Sequence, residues 1–169
     1  MHQDKKLYLV RHGRAQDDGR TLMDFNRPLS QIGITHTIAL AEQLKENHVQ
    51  PPQCVFCSSS IRTRQTYEIL QNWLGSADVF FRDSLYLAPI FRLQQVLAQT
   101  DNIFNQVMVI GHNMGLQNFV NTASVTENPP SFETSCCAVL KVSDNTSWQE
   151  IAPQKTQLDL FLNPQKISL

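Results

Sequence analysis

The sequence predicts an α/β fold in which short buried strands alternate with helices. Its apolar, β-favouring residues form short continuous runs, which are typical of strands buried in a parallel or mixed sheet. Helix-spaced apolar residues follow most of these runs after a polar or glycine-containing turn. Polar residues directly after such strands lie at the carboxyl edge of the sheet, where open α/β proteins bind their ligands.

The pattern places the elements in a definite order. Strands are expected at residues 7–10, 54–57, 79–81, 107–110 and 136–142, with 148–151 as the hairpin partner of the last. Ser30 is placed to cap a helix that runs to about residue 47, and further helices are expected through 67–74, 90–97 and 116–120. Beyond Pro153 the chain reads as a polar tail with a weak apolar patch.

Length and composition indicate one domain of common size, spanning residues 1–169. Hydrophobic residues make up 41%, charged residues 17%, and the formal net charge is −1, so neither disorder nor nucleic-acid binding is expected. Only four apolar residues precede Arg11, too few for a signal peptide or a membrane span. We therefore expect a soluble cytoplasmic protein, monomeric or weakly dimeric, with no membrane partner.

Two of the four cysteines have the C-x-x-C spacing of a metal knuckle or a redox pair. Val55 and Phe56, which separate Cys54 from Cys57, are apolar, and no second C-x-x-C follows. Buried reduced thiols are the favoured interpretation, with zinc or redox chemistry as the alternative.

Chemistry-bearing residues follow three of the predicted strands. Arg11, His12 and Gly13 follow the first, Ser58 and Arg62 lie between the second strand and its helix, and His112 follows the fourth. A glycine lets a bulky anion approach the backbone, and a helix amino terminus attracts anions. Each feature alone is common in ordinary structure. Together they predict a cationic phosphate pocket in which arginine, rather than a metal ion, neutralises charge and a histidine attacks phosphorus.

The same residues resemble the motifs of the histidine phosphatase superfamily, which has the phosphoglycerate mutase-like fold. Small size makes the chain most similar to the short phosphohistidine phosphatase branch. The matching motifs are Leu9-Val10-Arg11-His12-Gly13, Arg27-Pro28-Leu29-Ser30 with Gly33, Ser58 with Arg62 and Gln65-Thr66, and Gly111-His112-Asn113 with Gly115-Leu116.

The resemblance implies a three-layer α/β/α sandwich with a mostly parallel central sheet and no inserted cap domain. It implies that His12 is the phosphorylated nucleophile, that Arg11 and Arg62 hold the phosphoryl oxygens, and that His112 is a second, charged pocket histidine. Gly13, Ser58 and Asn113 are expected at or near the phosphate. No cofactor or metal is implied.

The chain departs from the wider family where larger members carry the acid that protonates the leaving group. Residues 83–89 offer Tyr86 and no glutamate, and Ser59 replaces a common proline. An alkoxide needs that proton more than an imidazole or a phenolate does, so the departure favours phosphohistidine or aryl phosphates over sugar phosphates. A loop aspartate could still supply the proton; the candidates are Asp17, Asp18, Asp24 and Asp83.

Three functions follow as hypotheses. The leading one is a metal-independent phosphatase that acts through His12, most plausibly on phosphohistidine of a protein. The alternatives are a phosphatase of small metabolites or sugar phosphates, and a non-catalytic phosphate-binding module. Ser58 either donates to phosphate or caps a helix, with capping favoured, and the sequence leaves open whether Arg14 or Arg64 joins the pocket.

Overall fold

The computed structural model describes residues 4–17 and 22–166 and contains the predicted alternation of strands and helices. No helix in these ranges is long and apolar enough to cross a membrane. The strands are β1 Lys6–Arg11, β2 Cys54–Ser58, β3 Asp78–Arg82, β4 Gln106–Gly111, β5 Cys137–Val142 and β6 Thr156–Leu162, and the α-helices are α1 Gln31–Glu46, α2 Ile61–Leu74, α3 Ile90–Ala98 and α4 Gly115–Ala123.

These strands form one sheet in the order β3-β2-β4-β1-β5-β6. The pairs β1–β4, β2–β4 and β2–β3 are parallel, whereas β5 pairs antiparallel with both β1 and β6. The sheet is therefore mostly parallel, which confirms the predicted fold class. Because β4 lies between β1 and β2, the carboxyl ends of these three strands are neighbours.

Helices cover both faces of the sheet, which confirms the three-layer arrangement. Side chains alternate along a strand, so β1 sends Leu7 and Leu9 to one face and Tyr8 and Val10 to the other. The first face packs against α3 and α4, and the second packs against α1 and α2. Two hydrophobic layers on one buried sheet explain why its strands read as continuous apolar runs.

The C-x-x-C pair is divided between the two faces. Cys54 packs in the layer beneath α3 and α4, whereas Cys57 packs in the layer beneath α1 and α2. Residues three apart on a strand point to opposite sides of the sheet, so these thiols cannot hold one metal ion together. Burial raises the pKa of Cys57 to about 12, and all four cysteines are buried and unpaired.

The predicted hairpin partner of β5 is wrong. Residues 148–150 form a short 3-10 turn, and Trp148 is fully buried with its indole N–H donating to the carbonyl of Phe104 at 2.8 Å. A capping box between Ser147 and Glu150 starts this turn. The true partner is β6, whose weak apolar patch is an amphipathic edge strand rather than a tail.

Helix α1 begins as predicted, with the Ser30 hydroxyl accepting from the Gly33 N–H at 3.1 Å. Gly33 also lets the helix touch the segment after β1, because a Cβ there would lie 2.2 Å from the carbonyl oxygen of Arg14. This contact holds residues 12–14 against α1.

Replacing Gly33 by alanine should lower the free energy of unfolding by about 1–3 kcal/mol, because backbone must move to admit the methyl group. Urea unfolding measures the change. Gly111→Ala is the matched control, since a Cβ at Gly111 meets its nearest atom at an ordinary 3.8 Å. Equal losses in the two variants would contradict this packing argument.

Candidate active site

Three strand ends bring two histidines and an arginine into contact. His12 follows β1, His112 follows β4, and Arg62 lies in the first turn of α2 just after β2. The imidazole centroids are 5.1 Å apart, and the exposed fractions of His12, Arg62 and His112 are only 8%, 4% and 3%. The order of the strands thus explains why motifs separated by fifty residues meet.

His12 is held with one nitrogen ready to attack. Its Nδ1 lies 2.7 Å from the carbonyl oxygen of Gly13, which can only accept, so Nδ1 carries the proton. Its Nε2 accepts from the Nε–H of Arg62 at 3.2 Å and therefore holds a lone pair. Burial, reinforced by the charges of Arg62 and Arg11, lowers the pKa of His12 to about 4. The imidazole is consequently neutral at pH 7, with its single proton on Nδ1.

His112 is also neutral in the free site, whereas the expectation of a charged His112 concerns the site with a phosphoryl group bound and stays a prediction. Burial lowers its pKa to about 3, and the neighbouring His12 and Arg62 add to the effect. A guanidinium nitrogen of Arg62 lies 3.5 Å from Nδ1, and Nε2 lies 2.8 Å from the hydroxyl of Ser58. Because a guanidinium only donates, Nδ1 is the acceptor and the Nε2–H donates to Ser58.

Ser58 therefore orients His112 rather than capping a helix. It is the last residue of β2, and the cap position of α2 belongs to Ser60. The expectation that Ser58 caps the helix is wrong. A cap residue directly precedes the first helical residue, and α2 begins at Ile61, so the cap is Ser60.

Asp24 is the site residue that the strand-end motifs missed. One of its carboxylate oxygens accepts from Arg62 at 2.9 Å and from the hydroxyl of Tyr86, and its carbonyl accepts from Arg62 at 2.6 Å. The hydrogen bond from Tyr86, together with Arg62, lowers the pKa of Asp24 to about 2. A carboxylate thus stands at the mouth of the pocket, supplied by the loop after β1.

The other candidate aspartates are placed differently. Asp17 lines the outer part of the cleft, Asp83 begins a 3-10 turn and does not line it, and Asp18 lies outside the described residues. The signal for Asp24 in the sequence was its position three residues before Arg27, a residue that pairs with it at 3.1 Å.

The guanidinium of Arg11 is held in place by the segment that precedes β5. One of its terminal nitrogens donates to the carbonyl of Phe132 at 2.8 Å, and the Asn113 amide donates to the same oxygen at 3.2 Å. The Nε of Arg11 is buried with no hydrogen-bond partner among the described residues. A buried unpaired guanidinium N–H favours an anionic acceptor.

Gly13 has a packing role that the sequence did not reveal. Its N–H donates to the hydroxyl of Thr66 at 3.0 Å, and a Cβ would meet the Thr37 hydroxyl at 2.6 Å and the Gly33 carbonyl at 2.9 Å. The expectation that Gly13 opens space for an anion is therefore wrong. The absence of a side chain lets α1 pack against residue 13, and the N–H is already hydrogen-bonded to Thr66.

The two arginines left open by the sequence differ in role. Arg14 lines the outer cleft with an exposed side chain. Arg64 instead donates to the Ser59 carbonyl at 2.9 Å and stacks 4.2 Å from the ring centre of Phe81, away from the site.

The cleft has a volume of about 970 Å³ and is rich in cations. Its charged lining residues are Arg11, Arg14, Arg27 and Arg62 against Asp17 and Asp24. Within residues 4–17 and 22–166, no three His, Cys, Asp or Glu side chains are grouped to hold a metal ion. The arrangement is suited to binding an anion by arginine and to attack by a neutral imidazole.

Comparison with known proteins points to one family. Residues 7–86 match the family model of the histidine phosphatase superfamily, branch 1. A chloroplastic protein of Arabidopsis thaliana, itself uncharacterised, is 27% identical over 160 residues, which cover 86% of this chain and 70% of that protein.

Two solved structures share the fold over almost their full length. Both are described as proposed phosphohistidine phosphatases SixA. The structure from Nakamurella multipartitia has a TM-score of 0.82 at 24% identity and covers 96% of this chain and 98% of its own. The structure from Agrobacterium tumefaciens has a TM-score of 0.80 at 25% identity and covers 96% and 100%. With these neighbours sharing its fold, and with its motifs at β1 and β2 matched by the family model over residues 7–86, the chain is similar to the histidine phosphatase superfamily.

Proposed function

We propose that this phosphatase hydrolyses phosphohistidine carried by a protein, without a metal ion, through a covalent phosphohistidine intermediate at His12. The observation that carries the proposal is the state of His12: a buried, neutral imidazole whose Nε2 lone pair accepts from Arg62, with the charge of Arg11 also nearby. A neutral imidazole nitrogen is a nucleophile. The phosphorus atom of a phosphoryl group bound by arginines is an electrophile that it can attack.

The first step transfers the phosphoryl group to the enzyme. Nε2 of His12 attacks phosphorus, a P–N bond to His12 forms, and the P–N bond to the substrate imidazole breaks. The leaving imidazole nitrogen takes up a proton. The hydrogen bond from Nδ1 to the Gly13 carbonyl fixes the ring and stabilises the positive charge that develops on it.

The second step returns the enzyme to its starting state. Water attacks phosphorus, the P–Nε2 bond breaks, inorganic phosphate leaves, and the proton lost by water passes to a nearby base. Arg11 and Arg62 stabilise the charge on the phosphoryl oxygens in both steps, with the unpaired Nε of Arg11 as a ready donor.

Asp24 is suited to donate the proton that the leaving group takes up in the first step and to accept the proton that water loses in the second. In the free site its pKa is low because Tyr86 and Arg62 donate to it. A bound phosphate dianion adds negative charge and draws on Arg62, and both effects raise the pKa of the carboxyl group. Its position at the mouth, opposite the deep His12, puts it on the side where the leaving group departs.

A protein substrate is supported by the similarity to the SixA structures and by the open cleft. None of the described residues forms a separate subdomain over the pocket. A projecting side chain of a second protein can therefore reach His12.

Asp24 also favours the second candidate, a phosphatase of small phosphate esters. Residues 83–89 offer no glutamate to protonate a sugar leaving group. The Asp24 carboxylate at the mouth of the pocket can supply that proton instead, so sugar phosphates are less disfavoured than the sequence indicates. The same carboxylate removes the main support for a non-catalytic binding module.

Replacing His12 by alanine should lower phosphate release from phosphohistidine and from p-nitrophenyl phosphate by at least about 10³-fold, because the nucleophile is gone. A chelator should leave the wild-type rate unchanged. His36→Ala, in α1 and outside the cleft, is the matched control. Residual activity of the His12 variant near the wild-type level, or loss of wild-type activity on chelation, would refute this mechanism.

Replacing Asp24 by asparagine should separate substrates by their leaving groups. Loss of the acid should slow hydrolysis of an alkyl phosphate by about 10²-fold or more, and that of p-nitrophenyl phosphate by much less, because nitrophenolate leaves unprotonated. Steady-state kcat on the two esters measures the difference, with Asp83→Asn as the control. Equal losses on both esters would mean that Asp24 only positions Arg62.

A further inference from the structure

We propose that Ile32, Leu87 and Met114 form an apolar collar at the mouth of the catalytic cleft, and that this collar docks a polypeptide whose phosphorylated histidine is flanked by apolar side chains. The inference rests on the proposed function and names the feature by which the substrate protein is recognised.

The collar residues are exposed although they are large and apolar. The exposed fractions of Ile32, Leu87 and Met114 are 46%, 54% and 62%. Ile32 and Leu87 line the cleft itself, whereas Met114 lines an adjoining groove that shares Asn113 with the cleft. Exposed apolar side chains gathered at one functional opening indicate a surface that is covered during binding.

Leu87 leaves more than half of its surface exposed and so contributes little to the core. Its neighbours Leu85 and Ala88 are buried, whereas Leu87 turns outward with a backbone φ of 47°, in the left-handed region that leucine disfavours. An unfavourable backbone conformation that presents an apolar side chain beside His112 and Arg62 is the kind of strain found at ligand contacts.

The collar stands on two opposed walls of the cleft. Leu87 and Met114 belong to segments in tight contact, because a Cβ at Gly115 would lie 2.0 Å from the carbonyl oxygen of Ala88. Both segments lie on the face of the sheet covered by α3 and α4. Ile32 lies in the first turn of α1, on the other face.

The depth of the site determines what rests on the collar. His12 and His112 are almost completely buried, so a phosphoryl group carried by a polypeptide must enter on a projecting side chain. The surface that carries this side chain then covers the rim. A sugar phosphate is polar and gains little from apolar contacts, whereas a polypeptide with leucine-like neighbours of its phosphohistidine removes apolar surface from water on both sides.

The test uses three probes: free phosphohistidine, and two peptides phosphorylated with phosphoramidate that differ only in carrying leucine or serine around the phosphohistidine. The collar variant is Leu87→Asn with Met114→Gln, since asparagine tolerates the left-handed backbone at residue 87. Ile103→Asn is the control, because Ile103 is 70% exposed and lies just before β4, at the opposite edge of the sheet from His112.

Wild-type protein should show kcat/KM at least about tenfold higher on the leucine peptide than on the serine peptide, with the difference in KM. In the collar variant this ratio should fall to about 1–2, whereas Ile103→Asn should keep it. Ile103→Asn should hydrolyse free phosphohistidine at the wild-type rate, and the collar variant should lose less kcat/KM on free phosphohistidine than on the leucine peptide.

Turnover of all three probes with equal kcat/KM would overturn the collar alone and leave the proposed function intact. A preference that survives in the collar variant, or is lost equally in Ile103→Asn, would also overturn it. Equal slowing of free phosphohistidine and leucine peptide in the collar variant would assign the rim to a small ligand instead. Hydrolysis of p-nitrophenyl phosphate without turnover of any phosphohistidine probe would refute the proposed function and the collar together.

Discussion

The structure of the site depends on one buried cation. The guanidinium of Arg62 is almost inaccessible to water and contacts His12, His112 and Asp24 at once. Removing a charge from water is costly unless nearby groups compensate, and here the Asp24 carboxylate does so in the free site. The same charge disfavours protonation of both histidines. Burial is the larger cause of the neutral imidazoles, and the hydrogen bond from Tyr86 is the larger cause of the ionised Asp24, but the charge of Arg62 contributes to both.

Sheet topology explains how that placement arises. Placing β4 between β1 and β2 makes their carboxyl ends neighbours, and the first turn of α2 brings Arg62 over them. Gly13 and Gly33 then let α1 pack against the chain leaving β1, which directs His12 toward Arg62. The geometry of the candidate site is thus built by backbone packing as much as by the side chains that line it.

The sequence predicted the parts of this site that follow from strand ends. Arg11, His12 and His112 each lie at the end of a short apolar run, and such runs are recognisable in a sequence as buried strands. The sequence offered Asp24 only as one of four candidate proton donors, because the loop that carries it is positioned by Arg62 and Tyr86, which are 38 and 62 residues away. Ser58 and Gly13 were misread for the same reason, since their partners come from other elements. β6 was missed because an exposed edge strand has a weak apolar pattern.

The central claim is that His12 carries the phosphoryl group on Nε2, and trapping the intermediate tests it most directly. Mixing the protein with phosphohistidine or p-nitrophenyl phosphate, quenching in alkali and analysing the phosphorylated peptide by mass spectrometry and phosphorus NMR identifies the residue and the nitrogen. We expect an acid-labile phosphoryl group on Nε2 of His12, because Nδ1 is protonated and bonded to Gly13. A phosphoryl group on Nδ1, on another residue, or on no residue at all would contradict it.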